Sequence, residues 1–347
     1  MQRSRTLLGA LVISTLLPVA ASAQGGPAAR TGTAAPEAGS PREQLAATLV
    51  RLEEREGQDP LVYRELSTLL RGAPDLVRDI PGLLRSGRAS LDSSATLIFA
   101  LEDIGSPEAQ EALVAIQFDG SQRHLDRLRA VVSLGAVKEP TDEALGSLSA
   151  MALVRVDWPS TDLSNTALLS LGVGGGLLRE QASLSYPQQR DWLVDHLYAC
   201  SSPAETAMTL KAVGNLHDPA LGDQVVYFLY SASAPVRACA AQALGALGDV
   251  SKRELLTDLL PEERFGAVRS AMTDALRELP ASPHSLRTVL GLVRREPHNE
   301  ARALMVSYLV DHLHDFEQAR STLREMTASD PSNEVRLLAS ISLRPPR

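Results

Sequence analysis

Aromatic and β-branched residues are scarce in this chain of 347 residues: thirteen Phe, Trp and Tyr together, and thirty Val plus Ile. Strands draw on those side chains, so the composition speaks against a sheet-dominated fold. Lysine is nearly missing, with three against 31 Arg, and acids outnumber bases to give a formal charge of −8. Phosphate binding needs clustered cations, so a nucleic-acid partner is disfavoured. Beyond the N-terminus no apolar run reaches the roughly 20 residues that a membrane-spanning helix requires. Only two cysteines, Cys200 and Cys239, are present, too few for a disulfide framework. Alanine and leucine fill the gap, supplying 102 residues. Both enter helices at little cost, and the expectation is an all-α protein with ample core material. The excess of Arg and Ala fits a GC-rich bacterial genome.

Residues 1–23 read as a secretory signal. Arg3 and Arg5 form a basic start, Leu7 to Val19 a short apolar core, and Ala21-Ser22-Ala23 a small-residue cleavage site before Gln24. Cleavage leaves a balance of −10 and no integral membrane span, and the mature chain is expected to be exported, periplasmic or extracellular. Residues 24–41 are rich in Gly, Ala, Pro and Thr and cannot recover the entropy of ordering, so they read as a flexible linker.

A helical cap is expected over 42–90, from Arg42 to Arg55, Pro60 to Arg71 and Pro74 to Arg85, with Pro81 and Gly82 kinking the last. From 91 to 347 the chain reads as stacked helical hairpins. APVRACAAQALGALG, Ala234 to Gly248, places Val236, Ala240, Ala243, Leu244 and Leu247 on one stripe of a helix that Pro235 opens and Gly248 stops. Glycines 105, 135, 172, 214 and 248 follow similar first helices, at steps of 30, 37, 42 and 34 residues. Imperfect periods of this size belong to a solenoid. Gly174 to Gly176 read as a break in the third unit. Paired helices continue at Ala267 to Leu279 with Pro283 to Arg295, and at Glu300 to His314 with Phe316 to Thr327, before a last helix at Asn333 to Leu343. In this layering Cys200 and Cys239 lie two hairpins apart, beyond disulfide reach, and should be largely buried thiols.

The hairpin at Ala234 to Leu260 resembles a HEAT repeat, which implies a right-handed α-solenoid. A narrower resemblance is carried by LKAVGNLHDPAL at Leu210 to Leu221, APVRACAAQAL and NEVRLLASISL, chiefly through Gly214, Asn215, Pro219, Val236, Arg237, Glu334, Val335 and Arg336. This succession is similar to the helical domain of the vitellogenin-type large lipid transfer proteins. That family sets a β-barrel before its helices and lipid-lining sheets after them, so the resemblance implies the scaffold without the cavity.

Chemistry is sparse. Asp195-His196 and Asp311-His312 are neighbours on helices, about 100° apart, and do not present two ligands on one face. His312, His314 and Asp315 cluster at a helix end but lack zinc-type helical spacing. No GxSxG elbow or phosphate loop occurs, so no catalytic residue, cofactor or metal is expected. Arg237, Arg269 and Arg336 recur near helix starts in PVRA, AVRS and EVRL. They read either as a surface ladder for an acidic partner or as pairs with acids of adjacent repeats. Trp158, on a connecting loop, is a contact residue or folds back onto the helices. The reading is an exported, non-enzymatic HEAT-type scaffold for a protein partner. The alternatives are an accessory in lipid or lipoprotein handling and an enzyme built on an α-solenoid.

Overall fold

The computed structural model describes residues 39–54, 59–154, 161–314 and 316–341, and every one of their elements is helical. The signal segment, most of the linker, Trp158 and Asp315 lie outside the described residues. The chain divides into two compact units, the first ending at Leu178 and the second beginning at Arg179.

In the first unit α1 (Pro41–Glu54) precedes the pair α2 (Pro60–Gly72) and α3 (Pro74–Arg85), then α4 (Leu91–Ile104) with α5 (Pro107–Phe118), and α6 (His124–Ala136) with α7 (Asp142–Ala152). Helix α8 (Thr161–Glu180) carries the division between units in its last turn. First helices stack on first helices, α2 on α4 and α4 on α6. Second helices do the same, α3 on α5 and α5 on α7. Sequence chemistry sets the boundaries. Ser90, Ser106 and Thr141 accept the N–H groups of Ser93, Ala109 and Ala144, each closing an orphan donor of a first turn. Pro60, Pro74 and Pro107 occupy first turns, where a missing N–H costs nothing.

Buried amides tie neighbouring hairpins of this unit. Gln110 donates to the Glu139 carbonyl at 2.9 Å and accepts from the Thr141 N–H at 2.7 Å, while Gln117 donates to the Ser147 carbonyl at 3.0 Å. Asp126, fully buried, accepts from Ser94 Oγ at 2.8 Å and Arg123 Nε at 2.6 Å.

The second unit continues with α9 (Tyr186–Ala199), α10 (Pro203–Gly214), the short α11 (Gly222–Val226), α12 (Ala234–Leu247), α13 (Arg253–Leu259), α14 (Gly266–Glu278), α15 (Pro283–Val293), α16 (Asn299–Asp311), α17 (Ala319–Ser329) and α18 (Asn333–Ile341). Three 3₁₀ turns, Pro219–Leu221, Tyr227–Tyr230 and Val250–Lys252, interrupt the second layer. The first layer is continuous: α10, α12, α14, α16 and α18 each pack on the next. Its interior is small and aliphatic, with Ala212, Val213, Ala240, Ala241, Leu244, Leu276, Ala301, Val306 and Leu309 all buried. No hairpin has enough apolar area to stand alone, so stability lies in these interfaces.

The glycines correct one sequence expectation. Gly105 and Gly248 do end helices in left-handed conformation, at φ 60° and 71°. Helix α8, however, runs unbroken through Gly172 and Gly174 to Gly176, where a break was expected. Gly135 also lies inside α6. A Cβ built there would sit 2.6 Å from Ser170 Cβ and carbonyl oxygen, so glycine serves the α6–α8 crossing. Tertiary packing overrides the helix propensity that the reading relied on.

Cys200 and Cys239 are both thiols with no disulfide between them. Cys239 is buried, which pushes its thiol pKa up, and Cys200 is half-buried.

Candidate functional site

The arginines at helix starts form one internal relay in the second unit. Arg237 grips Glu263 through Nε at 2.8 Å and a second nitrogen at 3.0 Å. Arg269 grips Glu296 at 2.5 and 2.6 Å, and Arg302 grips Asp330 at 2.8 and 3.1 Å. The remaining guanidinium nitrogen of each donates to the carbonyl six residues upstream: Arg237 to Ser231, Arg269 to Glu263 and Arg302 to Glu296. Arg336 repeats that contact with the Asp330 carbonyl and also donates to Asn333. Each acid thus takes one Arg on its side chain and the next on its backbone. The acids are held in turn by the N–H groups of Phe265, His298 and Ser332.

The side chains of Arg237 and Arg269 are only 15% and 12% exposed, so their guanidinium groups face repeat neighbours. Arg302 was missed by the sequence reading because Ala precedes it where Val precedes the others. Its 33-residue step from Arg269 was the available signal.

Burial alone would raise the Glu263 and Glu296 carboxyl pKa values. The Arg237 and Arg269 hydrogen bonds, with backbone N–H groups, outweigh it and hold both below the usual range. A depressed folded pKa means the unfolded chain binds protons first, so these acids stabilise the fold above their unfolded value, and that contribution disappears as pH falls through the folded ones. Glu102 and Asp274 act oppositely, since burial raises them and acid relieves a cost. Urea midpoints measured from pH 6 to pH 3 should therefore fall less for Glu296→Gln than for the parent chain. Equal acid loss in both would show that Glu296 does not carry this dependence.

A groove opens in the same unit where the α9–α10 turn faces the 3₁₀ segment Tyr227–Tyr230. Its volume is about 480 Å³, and Cys200, Ser201, Ser202, Pro203 and Thr206 line one side. Tyr227, Phe228, Tyr230, Ser231, Ala232 and Val236 line the other. An adjoining hollow of about 380 Å³ adds Leu197 and Tyr198. No lining residue of either carries a full charge. Phe228 is buried and anchors the wall, meeting Tyr227 edge to face at 5.4 Å and Tyr198 at 6.1 Å between ring centres. The three tyrosines are instead exposed, Tyr198 by 57%, Tyr227 by 72% and Tyr230 by 63%. The sequence reading did not single out YFLY, which matches no chemical motif. The short 3₁₀ geometry turns two of its rings outward.

Sharing Cys200 with the groove, a cluster of His196, Cys200 and Glu205 brings one potential ligand atom from each residue to within 4.8 Å of the others. His196 and Cys200 sit four residues apart at the end of α9, hence on one face, and Glu205 lies in the first turn of α10. Of the two Asp-His neighbours weighed from sequence, His196 joins this cluster and the second pair goes elsewhere. Asp311 pairs with Arg277 at 3.0 Å, and His312 meets the Tyr308 ring edge-on at 5.0 Å.

Residues 190–277 match the HEAT-repeat family model, so this stretch is a HEAT-repeat domain. No curated protein matches the chain in sequence. A lipovitellin structure concerned with lipid–protein interactions is similar in fold, 18% identical, with a TM-score of 0.54. The match covers 92% of this chain and 36% of the lipovitellin chain, so this chain spans about a third of that protein. Human deoxyhypusine hydroxylase in complex with glycerol is also 18% identical, over 86% of this chain and 96% of its own, with a TM-score of 0.28.

Proposed function

We propose that the protein is an exported, non-catalytic HEAT-type scaffold that holds a polypeptide partner in the tyrosine-lined groove. The observation that carries this reading is a pair of exposed tyrosines, Tyr227 and Tyr230, on one uncharged groove, with exposed Tyr198 in the hollow beside it. Rigid aromatic rings with a polar tip lose little entropy on binding and are enriched at interface hot spots. The lack of charge in the lining favours a segment bearing apolar or proline side chains. The signal-like residues 1–23 support export. Lipid or lipoprotein handling is the second reading, favoured by the likeness in fold to lipovitellin.

The test is a photoreactive benzoylphenylalanine at position 230 of the full chain, with the same probe at exposed Leu61 as control. A single polypeptide adduct at 230 is expected, and Tyr227→Ala should weaken the isolated complex by about 30-fold, the scale of a hot-spot residue. Lipid adducts without polypeptide would replace this reading with the second. Equal labelling at both positions would overturn it.

A further inference from the structure

We infer that His196, Cys200 and Glu205 form a binding site for one Zn²⁺-class ion, with a fourth coordination position left for water or a partner's ligand. The donor set is the first support. A thiolate, an imidazole and a carboxylate are the three ligand types that zinc takes, and a soft sulfur beside nitrogen selects against magnesium and calcium. Their placement is the second. Sulfur and ring nitrogen come from one helix face at a spacing of four, and the carboxylate comes from the next helix across a short turn.

The surroundings hold each ligand in place. The His196 ring stacks on Trp192, nearly parallel at 11° with centres 5.2 Å apart, and its side chain is only 10% exposed. Glu205 Oε2 accepts from the Ser201 N–H at 3.0 Å and Ser201 Oγ at 3.1 Å, while Oε1 lies 3.9 Å from His196 Nε2. Cys200 Sγ donates to the His196 carbonyl at 3.3 Å and lies 3.3 Å from Thr209 Oγ1, whose hydroxyl donates to the Glu205 carbonyl at 2.9 Å. Such outer partners orient the ligands of metal sites. A tetrahedral ion with bonds of 2.0 to 2.3 Å needs its ligand atoms about 3.3 to 3.8 Å apart. The three atoms lie within 4.8 Å of one another, so holding an ion requires them to draw together by about 1 Å. Binding releases the thiol proton and leaves the ion's charge balanced by thiolate and carboxylate.

The site stands independently of the groove reading, because it is measured with no partner present. Reduced full-length protein, stripped with chelator, is titrated with Co²⁺ and then with Zn²⁺ against a chromophoric competitor. One equivalent of Co²⁺ should give a sulfur-to-cobalt charge-transfer band with intense four-coordinate visible bands, and Zn²⁺ should bleach both. Cys200→Ser should abolish the charge-transfer band. His196→Ala and Glu205→Gln should weaken Zn²⁺ by more than the 10- to 100-fold that loss of an outer-shell partner costs. Cys239→Ser, which is not a member of the cluster, should leave the titration unchanged. A parent protein without the charge-transfer band overturns the site whatever the variants do. So does Cys200→Ser binding Zn²⁺ as tightly as the parent.

Discussion

Arg302→Ala should destabilise the second unit by about 3–5 kcal/mol, the cost of stripping one partner from a buried ion pair. The Arg302 and Asp330 side chains are 6% and 5% exposed, the most buried pair of the relay. Alanine leaves the Asp330 carboxylate desolvated without its guanidinium. It also removes the donor to the Glu296 carbonyl at 2.8 Å and the contact to Asn299 at 2.7 Å. Arg277→Ala is the control, because its pair with Asp311 is 32% and 52% exposed and exposed pairs contribute about 0–1 kcal/mol. Urea denaturation compares the two, and a difference within 1 kcal/mol would show that burial of the pair carries no special cost. Adding Asp330→Ala to Arg302→Ala should recover part of the loss, since the orphaned charge is then gone. Hydrogen exchange should place the damage in 299–341, because a repeat array opens at its weakest interface.

The relay also explains what was legible in the sequence. Hairpin order followed from proline at first turns, glycine after first helices, and apolar stripes, all local signals written within a dozen or so residues. The arginines were visible as a pattern, yet the choice between a partner surface and internal pairing depended on acids 26 to 28 residues downstream. Only the stacking of repeats brings those together. The groove and the His196 cluster were hidden for the same reason. Tyr198 at the end of α9 meets Phe228 of a 3₁₀ segment about thirty residues on, and Glu205 joins Cys200 across a helix boundary that periodicity alone does not locate.

Glycine supplies the second large effect, and here the sign is diagnostic. Gly146 and Gly291 lie in exposed helix interiors with nothing within 4 Å of a built Cβ. Alanine at either should stabilise by about 0.5–1 kcal/mol, the ordinary gain in helix propensity and loss of unfolded freedom. Gly135 and Gly245 are buried in helices too, but a Cβ at Gly245 would lie 2.7 Å from Ala275 Cα, and one at Gly135 2.8 Å from Ser170 Cα. Those obstacles are backbone, so relief requires moving α14 away from α12 or α8 away from α6. The same substitution at these positions should therefore destabilise by about 1–3 kcal/mol, the range for overpacking. Gly214 faces Ala243 at 3.1 Å and should fall between the two groups. Thermal melts of all five alanine variants test the ordering. If Gly135→Ala and Gly245→Ala were as stabilising as Gly146→Ala, the first-layer helices would not be set by backbone contact, and the alanine-rich composition would reflect helix propensity rather than the closeness of the stack.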